Sequence, residues 1–158
     1  MMIEKIEQWI HQTNRAHSAK RQSCILFREQ FKGFYSPSFL QNAYFVVTDN
    51  IPKPDFPELR DAGLDDFLDM EVDGMTYGNT YYVKQEYEED LVLHFHELVH
   101  VLQWQQLTVP RFIARYMQEV QAFGYRKAPL EDMAFSLEDR FKAGESSFDI
   151  AGYVSSHL

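Results

Sequence analysis

The sequence predicts an α+β fold that is mostly helical and contains a small sheet. Three observations lead to this prediction. The run from Leu91 to Leu102 is apolar on nearly all sides, which is typical of a buried core helix. Residues 43–48 and 75–83 are rich in aromatic and β-branched side chains, which favour strands. Apolar residues recur at helical spacing over residues 111–123, and similar patterns elsewhere make helices predominate.

The chain length favours one domain, residues 1–158. A chain of 158 residues is long enough to bury a proper core and short for two domains of ordinary size. Aromatic residues make up 15% of the chain, so we expect a core built largely on rings.

The N-terminal part is predicted to contain helices followed by a strand. Residues 3–31 place apolar side chains among charged ones, which indicates one or two amphipathic helices with a break in the polar stretch 13–23. Ser36 and Pro37 are typical of an N-cap and a first helical position, and they predict a short helix through Asn42. Residues 43–48 then form a buried strand.

Three prolines make residues 51–57 a loop, and a short helix is expected over residues 64–70. Asp73 and Gly74 are typical of a turn. Residues 75–83 are predicted to form one strand, with Gly78 as a bulge or a point of close backbone approach. The two strands are expected to share a sheet.

Three longer helices are predicted in the C-terminal half. The first covers residues 89–106, with acidic residues at its positive end. The second covers residues 111–123 after Pro110 and ends at Gly124, and the third covers residues 129–142 and ends before Gly144. Residues after 145 give no clear pattern.

Composition bears on compartment and partners. The formal net charge of −9 disfavours nucleic acid and anionic membranes as partners, because both attract basic surfaces. The acidic N-terminus does not resemble a signal peptide, and the sequence lacks a run of about 18 apolar residues, so we expect a soluble cytoplasmic protein. Cys24 is the only cysteine, so a zinc site would need histidine and carboxylate ligands.

The most informative motif is His96-Glu97-Leu98-Val99-His100, an HExxH pattern within the predicted core helix. Residues four apart share a helix face, so both imidazoles can reach one metal ion. Glu97 flanks the same face and is predicted to act as general base on a zinc-bound water. His94, two residues before His96, points nearly the opposite way and is expected to be a core or supporting histidine.

The layout resembles the zincin metallopeptidases. The resemblance covers roughly residues 75–142, and within it the HExxH helix, Gly124-Tyr125-Arg126 and the proline-led segment 129–134 are similar to small bacterial zincin-like proteins. It implies a zincin-like fold in which the small sheet packs on the central HExxH helix. An edge strand would lie over the cleft, and a later helix would return the third zinc ligand.

Two glutamates are candidates for that third ligand. Gln103 and Gln106 stand where the metzincin motif requires Gly and His, so a gluzincin-type site is expected. Glu131 resembles the start of the ligand helix in compact bacterial zincins, and we prefer it. Glu119 has the spacing from His100 found in aminopeptidase-type gluzincins, but the residues that flank the ligand in those enzymes are missing.

The predicted activity is zinc-dependent hydrolysis of peptide bonds in a peptide or protein substrate, with Zn²⁺ held by His96, His100 and Glu131. Tyr125 and Tyr116 are both candidates to stabilise the oxyanion. Arg126 is expected to be a solvated surface residue. The alternative is a catalytically silent zinc-binding protein that acts as a partner-binding or regulatory module. A third interpretation is a metal-free interaction protein with a fortuitous motif.

Overall fold

The computed structural model describes residues 2–158 and has an α+β fold in which helices predominate, as predicted. The helices are α1 (Met2–Ala16), α2 (Pro37–Gln41), α3 (Pro57–Asp61), α4 (Asp65–Asp69), α5 (Leu91–Leu107), α6 (Val109–Phe123), α7 (Pro129–Lys142) and α8 (Ile150–His157). The strands are β1 (Gln22–Ser23), β2 (Tyr44–Thr48), β3 (Gly74–Tyr77) and β4 (Thr80–Lys84). Short 3₁₀ turns follow β1 and β4, at Cys24–Phe27 and Gln85–Tyr87.

The four strands form one mixed sheet in the order β1-β2-β4-β3. β1 is antiparallel to β2, β2 is parallel to β4, and β4 is antiparallel to β3. In this register Tyr82 lies between Val46 on one side and Met75 on the other. β3 is therefore an edge strand, and both β3 and β4 pack against α5.

The prediction of a single strand over residues 75–83 is wrong, because this segment is a hairpin. β3 and β4 are joined by a turn at Gly78 and Asn79. Gly78 has a φ of 69°, a conformation that glycine adopts without steric cost. Gly78, which we interpreted as a bulge or a point of close backbone approach, is thus part of the turn. Gly74, which we placed in a turn, begins β3.

α5 is the central helix of the fold. It begins at Leu91 because the Asp90 carboxylate accepts hydrogen bonds from the backbone N–H groups of Val92 and Leu93. Every residue from 94 to 104 is buried, as predicted for a helix that is apolar nearly all round. One apolar cluster, which includes Phe31 and Phe95, surrounds part of α5, and a second cluster, which includes Trp104, surrounds the rest.

The next two helices follow α5 through sharp turns. Thr108 alone separates α5 from α6 and has a φ of 72°. α6 begins at Val109, two residues earlier than predicted, and ends before Gly124, whose φ is 79°. Pro129 occupies the start of α7, as predicted, where a missing backbone N–H costs nothing. α7 then packs along α5.

The short helices agree partly with the predictions. The Ser36 hydroxyl caps α2 by accepting a hydrogen bond from the Phe39 N–H, and Pro37 is the first helical residue, as expected. α4 lies within the predicted range 64–70. α3 was not predicted, because we interpreted Pro57 as part of a loop rather than as a helix start.

The two ends of the chain differ in how well they were predicted. α1 confirms the amphipathic pattern, with Ile6 and Ile10 buried, and it ends inside the polar stretch 13–23. α8 was missed, although Ile150 and Val154 are fully buried and the helix packs against α5. Within residues 2–158, every helix is too short or too polar to cross a lipid bilayer.

Candidate metal centre

His96 and His100 converge because they lie one turn apart on the buried face of α5. Their Nε2 atoms are 3.2 Å from each other, and the two residues are only 3% and 4% exposed. At that separation both nitrogens can face one ion. The prediction that the two imidazoles share a face is confirmed.

Glu131 joins the two histidines from the first turn of α7. Its Oε1 atom lies 3.1 Å from His96 Nε2 and 3.0 Å from His100 Nε2. One donor atom from each of the three residues lies within 4.8 Å of the others, and all three residues are buried. This group could therefore bind a metal ion.

Glu119, the other candidate, is not in this group. Its Oε1 accepts a hydrogen bond from the Leu130 N–H at 2.8 Å, and its Oε2 accepts one from Arg115 at 2.9 Å. Glu119 thus holds the start of α7, the turn that carries Glu131. It supports the candidate site through the backbone.

The outer nitrogens of the histidines are also held by side chains. His96 Nδ1 is 2.8 Å from a carboxylate oxygen of Glu138, which can only accept. His100 Nδ1 is 2.7 Å from Gln103 Oε1, while Gln103 Nε2 donates to the Leu130 carbonyl at 3.0 Å. We therefore assign the proton of each neutral ring to Nδ1, which leaves an unprotonated Nε2 on both histidines.

The chemistry of the donor set fits a cation. Two unprotonated Nε2 atoms and the Glu131 carboxylate oxygen would present lone pairs to one another at 3.0–3.2 Å. Such a cluster is stable only when positive charge lies among its members, and a divalent metal or added protons can supply it. The paired outer atoms are typical of metal-binding histidines, whose second nitrogen donates to a carboxylate or carbonyl.

The cluster of His96, His100 and Glu131 also has a high affinity for protons. Burial alone would lower the pKa of His96, but its hydrogen bonds to Glu131 and Glu138 raise that pKa to about 10. Burial would likewise lower the pKa of His100, and the charge of Glu131 raises it. The charge of His100 and its hydrogen bond lower the pKa of Glu131 despite burial. The cluster therefore attracts cations strongly.

Glu131 is oriented by Tyr116. The Tyr116 hydroxyl donates a 2.6 Å hydrogen bond to Glu131 Oε2, the oxygen that does not face the histidines. This bond leaves Oε1 turned toward His96 and His100. The Tyr116 hydroxyl proton is already donated to Glu131. Tyr116, one of the two candidates to stabilise the oxyanion, is therefore poorly placed for that role.

Glu97 lies beside the cluster and is held by the edge strand. The Thr76 hydroxyl donates to Glu97 Oε1 at 2.7 Å, and Glu97 Oε2 is 3.9 Å from His96 Nε2. A Cβ atom on Gly74 would lie only 3.1 Å from Glu97 Oε2, so glycine leaves the carboxylate its space. Burial raises the pKa of Glu97, which makes it a stronger base.

A groove gives access to His96 and Glu97. It has a volume of about 350 Å³, and His96, Glu97, Tyr125, Phe135 and Glu138 contribute to its wall. Phe135 packs against the His96 ring with its centroid 4.5 Å away. Tyr125 therefore shares an accessible space with Glu97, whereas Tyr116 does not line this groove.

Two other residues named from the sequence lie outside the cluster. His94 is buried, as expected, with Nδ1 2.6 Å from the Tyr81 hydroxyl and Nε2 2.7 Å from the Glu88 carbonyl. Arg126 lies over the Phe135 ring at 3.8 Å, and its side chain is 60% exposed. Both arrangements agree with the supporting and surface roles predicted for them.

Thr76, Gln103 and Glu138 were missed as contributors to the site. Glu138 lies seven residues after Glu131, and Gln103 lies three after His100, so helical spacing could have indicated both. Thr76 reaches Glu97 only through the packing of β3 on α5, for which the sequence carries no local pattern.

Comparison with known proteins gives no assignment. No family model, curated protein or solved structure matches the chain. The resemblance to zincins therefore stays a prediction from the sequence. The side chains around His96, His100 and Glu131 are the remaining guide to function.

Proposed function

We propose that the protein is a zinc-dependent metallopeptidase, with His96, His100 and Glu131 as zinc ligands and Glu97 as general base. The observation that carries this proposal is the convergence of three lone-pair donors within 4.8 Å, next to the buried carboxylate of Glu97, which accepts a hydrogen bond from Thr76. Two imidazoles and one carboxylate are a common ligand set of catalytic zinc. Three protein ligands leave a fourth coordination position open for water or substrate.

In the proposed reaction, the metal and the protein side chains have different roles. Zinc bound at this site supplies Lewis-acid chemistry, since it acidifies water and polarises a carbonyl oxygen. Glu97 takes the proton of the attacking water and delivers it to the leaving amine. Thr76 keeps one Glu97 oxygen in place, so the other faces the His96 side of the groove.

Tyr125 is the proposed oxyanion donor. It lines the groove together with His96 and Glu97. Burial raises the pKa of Tyr125, so the phenol keeps its proton and remains a hydrogen-bond donor at neutral pH. A positioned donor of this kind stabilises charge that develops on the carbonyl oxygen.

Hydrolysis by the zinc-loaded protein tests the proposal. We expect cleavage of unfolded protein or of a quenched peptide library, loss of cleavage with a chelator, and its return when Zn²⁺ is added back. Zinc binding without cleavage of any peptide would contradict the peptidase proposal and would favour the catalytically silent zinc-binding module.

The outer hydrogen bonds predict an effect on metal affinity. In a Gln103→Leu variant, His100 Nδ1 loses its acceptor and the Leu130 carbonyl loses its donor. We expect zinc to bind about 10- to 100-fold more weakly, the usual range for such partners. Competition with a chromophoric chelator measures this change.

Gln106→Leu provides a matched control. Gln106 lies on the same helix and is exposed, and its side chain donates to the Ala151 carbonyl rather than to the cluster. The control should bind zinc like the parent. Equal affinities in Gln103→Leu and the parent would contradict the role assigned to Gln103.

A further inference from the structure

The groove beside the candidate metal centre has an excess of negative charge. Four of the residues that line it carry carboxylates, namely Glu71, Asp73, Glu97 and Glu138. Among residues 2–158, no lysine or arginine lines it. With zinc bound between neutral histidines, the ion and Glu131 together add one positive charge, so the lining carboxylates outnumber it. A concave space with charge of one sign concentrates ligands of the opposite sign.

The four carboxylates differ in how fully they are already paired. Glu97 and Glu138 hydrogen-bond within the site. Glu71 Oε2 lies 3.5 Å from Lys84 Nζ. The Asp73 side chain is exposed, and within residues 2–158 its carboxylate has no hydrogen-bond or ion-pair partner. Asp73 is therefore the lining carboxylate that is free to pair with a cation on a substrate.

Asp73 lies close to where the proposed reaction would occur. It directly precedes Gly74, the first residue of β3. A Cβ atom on Gly74 would lie 3.1 Å from Glu97 Oε2, so the backbone passes next to the proposed base at this point. Consecutive Cα atoms are only about 3.8 Å apart. A long side chain next to a bond attacked beside Glu97 could thus reach the Asp73 carboxylate.

The remaining wall of the groove suits the stem of a basic side chain. Met70, Val72 and Leu93 contribute apolar surface to it. Lysine and arginine lay their aliphatic stems along such surface while the charged end stays in water or meets a counter-charge. Arg126 does not occupy this space, because its guanidinium lies over the Phe135 ring at 3.8 Å and Arg126 does not line the groove.

We propose that the groove selects peptides with a lysine or arginine side chain beside the cleaved bond, and that Asp73 pairs with the cation. This substrate class depends on the proposed peptidase function. A free N-terminal amine has the same charge as a lysine side chain, so N-acetylated peptides are needed to distinguish the two. Because the pair is exposed to solvent, the preference for lysine should decrease as salt concentration rises.

The experiment measures kcat/KM of the zinc-loaded full chain on N-acetylated quenched peptides. Lysine, norleucine or glutamate is placed in turn at each of the two positions on either side of the cleaved bond. Norleucine has an unbranched aliphatic side chain without the charge. At one of these positions we expect lysine to exceed norleucine by about tenfold and glutamate by more. Equal values for lysine and norleucine, a preference for glutamate, or a requirement for a free N-terminal amine would overturn the proposal.

Asp73→Asn tests the assigned residue. The ratio of kcat/KM for the lysine and norleucine peptides should fall from about tenfold to about twofold or less, because the amide has no charge. Asp139→Asn is a matched control, since Asp139 is exposed on α7, does not line the groove and removes the same charge. The control should keep the parent ratio. Each ratio is measured within one protein, so it does not depend on the folded fraction. A parent-like ratio in Asp73→Asn would contradict the role of Asp73.

Peptide binding separates failure of this proposal from failure of the peptidase proposal. Zinc-loaded Glu97→Gln should bind the labelled peptides without cleaving them, and fluorescence anisotropy compares the lysine and norleucine forms. If the parent cleaves no peptide, the peptidase proposal fails. Tighter binding of the lysine form, lost when Asp73→Asn is added, would still support the preference of the groove. Equal binding of the two forms would overturn it.

Discussion

Replacing Glu97 with glutamine is expected to lower kcat/KM for peptide hydrolysis by about 10²- to 10⁴-fold while leaving bound zinc unchanged. The amide keeps the size of the carboxylate and can still accept the hydrogen bond from Thr76. It cannot take a proton from the attacking water, so the chemical step loses its base. Steady-state hydrolysis and zinc content, measured on the same preparation, check both parts.

Glu89→Gln is a suitable control for this variant. Glu89 is an exposed glutamate just before α5, and its replacement should change neither measurement. Parent-level hydrolysis in Glu97→Gln would remove Glu97 from the mechanism. Loss of zinc in Glu97→Gln would indicate that this carboxylate is a metal ligand rather than a base.

Zinc is expected to stabilise the folded chain strongly. The cluster of His96, His100 and Glu131 is assembled only in the folded state, so metal binding adds directly to the free energy of unfolding. With free zinc about 1,000-fold above its Kd, the gain is about 4 kcal/mol. For a domain of this size that corresponds to a Tm increase of about 8–16 °C. Thermal unfolding with zinc and with a chelator measures it.

The same measurement on Glu131→Gln provides the control. Without the carboxylate, the increase in Tm caused by zinc should shrink to a small fraction of the parent value. A large increase that persists in this variant would show that zinc stabilises the protein at another site. No increase in the parent would argue that the cluster is held by protons rather than by metal.

The helices of the C-terminal half were predictable because their signals are local. Apolar spacing, Pro110, Gly124 and Pro129 marked α6 and α7, and the apolar run marked α5 as the core helix. The hairpin was missed, although a Gly-Asn pair between two apolar runs is a turn signal, because we placed Gly78 inside one continuous aromatic strand. α8 was missed because eight residues with a glycine and two serines have low helix propensity, and packing on α5 stabilises them.

The candidate site was predictable only in part. His96, His100 and Glu97 belong to one helix, so their relation follows from helix geometry. The choice between Glu119 and Glu131 depended on how α6 and α7 turn back toward α5, which is a property of packing. Both carboxylates prove to matter in the fold: Glu131 faces the histidines, and Glu119 caps the backbone of the turn that carries it.

Zinc content per chain decides whether His96, His100 and Glu131 form a metal centre. The parent, Glu131→Gln and Glu119→Gln should be loaded with Zn²⁺, dialysed against a competing chelator and measured by elemental analysis. We predict about one zinc per chain in the parent and in Glu119→Gln, and far less in Glu131→Gln. A parent that takes up no zinc while folded, or a Glu131→Gln variant that keeps the parent level, would contradict the proposed metal centre.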